Sequence, residues 1–210
     1  MIKDDLLSMK HGVIIVVGSG KTGKSTLLFS LSDRFFSDRP RYILETYDFD
    51  NSLFPGYSVV KTVWDVPPGS LLVVEDVGRL FPARGSQKQA ALSGWVSLIS
   101  HKDIVVLLSV QSTAILDIDF FRTQRVILLH KLVWDVDLRF EREELRPLQV
   151  TANLRIRKAI ASRPGYDQRS FSYCADNDEI VIMDPPAWWI HGIHSHYLRN
   201  SVPDRREGTV

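Results

Sequence analysis

The run Gly18-Ser19-Gly20-Lys21-Thr22-Gly23-Lys24-Ser25 constrains this chain more than any other feature. It fills every fixed position of the pattern G-x-x-x-x-G-K-[ST]. Its flanks have the character that the pattern requires. Val13-Ile14-Ile15-Val16-Val17 is an apolar, β-branched run ahead of it. From Ser25 to Phe36 the spacing is helical, with Leu27, Leu28, Leu31 and Phe35 on one side. A strand that feeds a glycine-rich turn into a helix N-terminus aims several backbone N–H groups at one point, which suits a polyphosphate. The expected ligand is ATP or GTP. In this reading the N–H groups from Gly20 to Ser25 cradle phosphate oxygens, Lys24 reaches the β- and γ-phosphates, and the Ser25 hydroxyl ligates Mg²⁺. Gly18, Ser19, Lys21, Thr22, Gly23 and Thr26 complete the nucleotide-binding set, Lys21 as an extra cation that faces solvent. Glycine at 18, 20 and 23 permits backbone angles and close approaches that a side chain would block.

A second site follows at Leu71-Leu72-Val73-Val74-Glu75-Asp76, an apolar strand that ends in two carboxylates. Nucleotide hydrolysis needs one carboxylate at a strand end to hold the Mg²⁺ shell and a neighbour to polarise the attacking water. By position Glu75 takes the metal role and Asp76 the base role. Gln111 is a third catalytic candidate. It directly follows the apolar run Ile104–Val110, where a polar residue at a strand's C-terminal end faces the ligand crevice and is placed to sense the γ-phosphate or orient water. A strand-ending Gln beside Ser112 and Thr113 is the alternative at this position.

Five apolar runs without alternation read as strands covered on both faces: Val13–Val17, Tyr42–Glu45, Leu71–Val74, Ile104–Val110 and Arg125–Leu129. Helix candidates lie between them at Ser25–Phe36 and Gln87–Ser100. The expected fold is therefore α/β, a three-layer sandwich around a mainly parallel sheet. At 210 residues the chain suits one domain, with a core over about 11–130. Residues 131–200 read as a small appendage of helix and hairpin on that domain. Pro147 interrupts a helical stretch from Asp137 to Ser162, and Asp176-Asn177-Asp178 turns between Phe171–Ala175 and Glu179–Met183. Residues 201–210 are a polar tail.

The formal net charge is only +1, but it is unevenly spread. Neither Val77 to Lys102 nor Leu145 to Tyr166 contains an acid, and both carry arginine and lysine, as a surface for an acidic partner or an ordinary solvated face would. Cys174 is the single cysteine, which excludes an internal disulfide and suits a reducing compartment. There is no signal-peptide core and no run near the roughly 20 apolar residues of a membrane span, so a soluble protein is expected.

The loop, the acidic pair and the glutamine, in this order, resemble the FtsK–HerA superfamily of P-loop motor ATPases. Val73-Val74-Glu75-Asp76-Val77-Gly78-Arg79-Leu80-Phe81-Pro82-Ala83-Arg84 and Ile104-Val105-Val106-Leu107-Leu108-Ser109-Val110-Gln111-Ser112 look like the corresponding segments of its small viral members. Those members are the genome-packaging ATPases of tailless, membrane-containing icosahedral viruses. The resemblance covers about residues 11–130. It implies a P-loop NTPase sheet with an extra strand between the phosphate-loop strand and the acidic strand, and a homo-oligomeric ring, pentamer or hexamer, that hydrolyses ATP with Mg²⁺ and translocates double-stranded DNA. It further implies an arginine supplied by a neighbouring subunit, with Arg84 and Arg122 preferred over Arg79 and Arg125. A pore-facing loop is implied where Arg84, Gln87 and Lys88 stand. A capsid-vertex or inner-membrane protein is an implied partner, and the host cytoplasm or the virion's portal vertex the implied location. Two departures stand out: the acidic order is Glu75 then Asp76 where the family usually has Asp then Glu, and the fourth loop position is Lys21.

Two other functions share the phosphate loop. A small nucleotide or nucleoside kinase would use an arginine-rich lid near Arg155–Arg163. A nucleotide-gated phage-morphogenesis ATPase, like the zonula occludens toxin group, would work at a membrane. His191, His194 and His196 have no cysteine or carboxylate close by to complete a metal set and read as surface or packing residues. Trp188, Trp189 and Tyr197 read as buried aromatics before base-stacking ones, and Asp48 and Asp50 as turn residues.

Overall fold

The computed structural model describes residues 1–45, 51–77, 95, 97–115 and 125–190. The described strands are β1 (Gly12–Val17), β2 (Arg41–Leu44), β3 (Tyr57–Val60), β4 (Leu71–Val74), β5 (Val105–Val110), β6 (Val126–His130), β7 (Phe171–Cys174) and β8 (Glu179–Ile182). They form one sheet in the order β3-β2-β4-β5-β1-β6-β7-β8. The pairings from β3 to β6 are parallel. β7 pairs antiparallel with both β6 and β8. β5 lies between the phosphate-loop strand β1 and the acidic strand β4, as the resemblance implies.

The central strands are apolar along their whole length because both faces are covered. Ile14 and Val16 of β1 point to one side, with Leu27, Leu28, Phe29 and Leu31 of helix α2 (Lys24–Phe35) in the same core. Val13, Ile15 and Val17 point to the other, where Trp95, Leu98 and Ile99 share their core. Alternate residues of one strand thus serve two cores, and three layers result. On the α2 side Phe29 meets Phe54, Tyr57, Trp188 and Trp189 at centroid distances of 5.3, 5.4, 5.6 and 5.5 Å. Trp188 donates its indole N–H to Asp33 at 2.7 Å. Both tryptophans are packing residues in this fold.

Four details differ from the sequence expectation. The edge strand β3 is partly exposed and so does not stand out as a continuous apolar run. Pro147 does not interrupt a helix. A short helix α3 (Asp135–Leu138) precedes it, and Pro147 sits in the first turn of α4 (Arg146–Ala161), where a missing N–H leaves no helical bond unmade. The hairpin β7–β8 extends the main sheet from β6, and Ala152 and Ile156 of α4 pack on Phe171 and Tyr173. An additional helix, α1 (Ile2–Leu7), is fastened to the far edge by the Ile2 N–H, which donates to Glu179 at 3.0 Å. Among the described residues no helix is long and apolar enough to cross a membrane.

Candidate nucleotide site

The loop leaves β1 at the C-terminal edge of the parallel sheet and closes into α2. Gly18 is fixed by its backbone N–H, which donates to Val110 O at 3.2 Å, and by its surroundings: a Cβ there would lie 2.5 Å from Cβ of Lys131. Gly23 caps α2 with φ +87°, and a Cβ there would lie 2.6 Å from Arg169 O. Gly20 is different. Among the described residues no atom lies within 4 Å of where a Cβ would stand, so the loop is open toward them on that side. Lys21 is exposed and holds φ +66°, an uncommon angle for a side-chain-bearing residue. Thr22 Oγ1 and Lys24 Nζ both donate to Ser19 O, at 2.8 and 2.9 Å, and so curl the loop on itself. Burial lowers the Lys24 ammonium from its usual range, partly offset by the charges of Glu75, Asp76 and Asp137.

The acidic pair stands opposite. β4 and β5 run in register, Val74 with Leu108, which brings Glu75 level with Ser109 at the same sheet edge. One oxygen of Glu75, Oε2, accepts from Ser25 Oγ at 3.1 Å and from Ser109 Oγ at 2.9 Å. The other, Oε1, is buried and has no hydrogen-bond partner among the described residues. Burial raises the carboxyl to about 7, against the opposing hydrogen bonds from Ser109 and Ser25. Asp76 follows with φ +49°, half-buried, its N–H donating to Ser109 Oγ at 3.0 Å. Gln111 is exposed and directly follows Val110, which pairs with Val17, so it lies level with Gly18. The loop, Glu75, Asp76 and Gln111 therefore share one edge of the sheet.

This donor set fits a hard divalent cation and a polyphosphate. A serine hydroxyl and an orphaned carboxylate oxygen face the base of the loop, and hard cations take oxygen ligands. An unsatisfied buried carboxylate is costly and is relieved by a metal. Ser25 and Glu75 are the residues that would hold Mg²⁺.

The other wall of the loop holds residues that the sequence alone did not single out. Ser19, fully buried, accepts from Trp134 N–H at 2.8 Å and donates through Oγ to Asp137 of α3. Its own N–H donates to Leu132 O at 3.0 Å. Lys131 is wholly buried; its ammonium donates to Arg169 O at 2.5 Å and Phe171 O at 2.8 Å, and burial lowers it to about 7. Gln149 and Asn153, both buried on α4, bind the backbone of Lys131 and Val133. Ser19 belongs to the loop motif, but Lys131, Trp134, Asp137, Gln149 and Asn153 belong to no short motif; only proximity to a loop more than a hundred positions away marks them.

Arg125 lies at the opposite edge of the sheet, beside Gly12, and pairs with Asp5 at 3.1 Å. Arg79, Arg84, Arg122, Gln87 and Lys88 lie outside the described residues, as do Asp48, Asp50, Tyr197 and the histidines at 191, 194 and 196.

Neither a family model nor a curated protein matches this sequence. Solved structures do resemble the fold. The DNA-packaging ATPase B204 from Sulfolobus Turreted Icosahedral Virus superposes with a TM-score of 0.51 at 12% identity, over 83% of this chain and 98% of that one. The genome packaging NTPase B204 from Sulfolobus turreted icosahedral virus 2, in complex with AMPPCP, gives 0.51 at 14% identity, over 84% of this chain and 99% of that one. The likeness spans nearly the whole of either viral protein. The chain has the α/β fold of the P-loop NTPases.

Proposed function

We propose that this protein is an ATP-hydrolysing motor that moves double-stranded DNA into a viral capsid as a homo-oligomeric ring. The observation that carries the hydrolytic part is the Ser25–Glu75–Ser109 cluster with its orphaned carboxylate oxygen, set against the open side of the loop at Gly20. The packaging part is supported by the fold, which is shared with a DNA-packaging ATPase.

In this reading Lys24 leaves Ser19 O for the β- and γ-phosphates and neutralises their charge. Ser25 and Glu75 would hold Mg²⁺, which would supply charge stabilisation to the phosphate oxygens. Asp76 accepts a proton from the attacking water as the γ-phosphoryl–oxygen bond breaks. Gln111 orients that water. An arginine from the neighbouring subunit, Arg84 or Arg122, completes the site. Arg84, Gln87 and Lys88 track DNA phosphates without reading sequence.

The test is phosphate release with and without linear double-stranded DNA, together with the mass of the assembly. Turnover that rises with DNA in an oligomer is expected. A monomer whose turnover ignores DNA would defeat the motor reading. Transfer of phosphate only to an added nucleoside or nucleotide acceptor would instead indicate the kinase.

A further inference from the structure

The segment from Trp134 to Arg142 touches both halves of the nucleotide site. At one end Asp137 accepts from Ser19 Oγ in the phosphate loop, and the Trp134 N–H reaches the same oxygen. At the other end Glu141, only 5% exposed, holds the turn that follows Gln111. Its Oε1 accepts from the Thr113 N–H at 2.7 Å, from Thr113 Oγ1, from Ser112 Oγ at 3.4 Å and from the Arg142 N–H at 3.2 Å. Arg142 Nε returns a bond to Thr113 O at 3.0 Å, and Ser112 Oγ donates to Phe140 O at 2.9 Å. Glu141 Oε2 is buried and without a hydrogen-bond partner among the described residues. Both ends are anchored by carboxylates, four residues apart, on one short stretch of chain.

Gln111 itself is exposed at a strand end, so its backbone is held by β5 on one side and by what holds the next two residues on the other. Those holders are Glu141 and Arg142. Ser19 carries the carbonyl that Lys24 binds, so a nucleotide that recruits Lys24 acts on the same residue that Asp137 grips. We infer that Asp137 and Glu141 are positioning residues, and that residues 134–142 couple occupancy of the phosphate loop to the placement of Gln111. This rests on the nucleotide reading of the site. It adds a route, through side chains that no phosphate-loop motif contains, by which the two sides of that site sense each other.

Amide hydrogen exchange with and without an ATP analogue and Mg²⁺ tests the coupling independently of turnover. Binding is expected to slow exchange of the Thr113 amide, which donates to Glu141. In Asp137→Ala, a change on a half-exposed helix, that response is expected to vanish while the analogue still binds. A Thr113 amide that responds equally in Asp137→Ala, or stays silent in the wild type when binding is measured separately, would overturn the coupling alone. If the wild type binds no nucleotide, both the site reading and the coupling fall. A kinetic arm reads Glu141 directly. Glu141→Ala is expected to lower kcat by about 10- to 100-fold with little change in nucleotide affinity, since small misplacements of orienting groups act on the chemical step. Glu141→Gln keeps an oxygen acceptor for Thr113 and is expected to restore most of kcat. Equal losses in both variants would show that charge matters there, not position, and would refute the assignment.

Discussion

Two buried ionisable residues flank the phosphate loop from opposite sides, and burial pushes both toward neutrality. The Glu75 carboxyl rises from 4.5 to about 7. Between those values the nucleotide-free native state holds a proton that the unfolded chain releases, so stability falls as pH rises through that window. The Lys131 ammonium drops from 10.5 to about 7. Between 7 and 10.5 the unfolded chain binds the extra proton, so stability rises with pH there and is lost as pH falls through 7. The windows adjoin without overlapping, and single variants separate them. Glu75→Gln is expected to remove the loss below pH 7, and Lys131→Met to flatten the gain above it, each by up to about 1.4 kcal/mol per pH unit. Urea midpoints measured across pH on metal-free, nucleotide-free protein check both. A Lys131→Met curve parallel to the wild type would mean that Lys131 stays charged in the fold.

Among the elements, the loop's glycines divide into two kinds that the motif does not distinguish. Gly23 combines a left-handed φ with a Cβ position 2.6 Å from Arg169 O. Gly20 has no left-handed φ, and no atom of the described residues stands near its Cβ position. Gly23→Ala is therefore expected to destabilise the fold by about 1–3 kcal/mol, read as a lower melting temperature. Gly20→Ala is expected to melt like the wild type and yet to bind nucleotide more weakly, because its new methyl enters the space left for phosphate. The same contrast shows what the sequence made legible. Val13–Val17 and Leu71–Val74 announce buried strands because both sheet faces are covered there, so every residue is apolar. Glu75, Asp76 and Gln111 were legible because a parallel sheet collects strand ends on one edge. Tyr57–Val60 was not, since an edge strand that is partly exposed breaks the continuous apolar run that marks Leu71–Val74. Asp137, Glu141 and Lys131 were not either. Their partners, Ser19, Thr113 and Phe171, lie 118, 28 and 40 positions away and meet them only through tertiary contact.

For the molecule as a whole, a net charge of +1 gives little long-range pull on a polyanion, so in the proposed motor DNA binding has to come from local clusters. Two acid-free stretches each carry four or more arginines and lysines. One, Leu145 to Tyr166, includes α4, which packs over the β7–β8 hairpin; its Arg155 already pairs with Asp178 at 2.9 Å, while Arg157 and Lys158 are exposed. The other, Val77 to Lys102, begins immediately after the acidic pair and so connects directly to the edge that holds the candidate site. In the proposed motor, a DNA contact that stimulates turnover belongs on the second stretch, because a load sensed there reaches Asp76 through one continuous piece of backbone. Reversing charge at Arg84 and Lys88 is accordingly expected to abolish DNA stimulation and leave DNA-independent turnover in place, unless Arg84 is also the trans arginine, in which case Lys88→Glu alone separates the roles. Reversing Arg157 and Lys158 is expected to leave stimulation intact. In the wild type the stimulated fraction should fall steeply with added salt, as phosphate contacts do, while basal turnover changes little. Stimulation that survives the first reversal and disappears with the second would move the DNA path to α4 and the far side of the sheet.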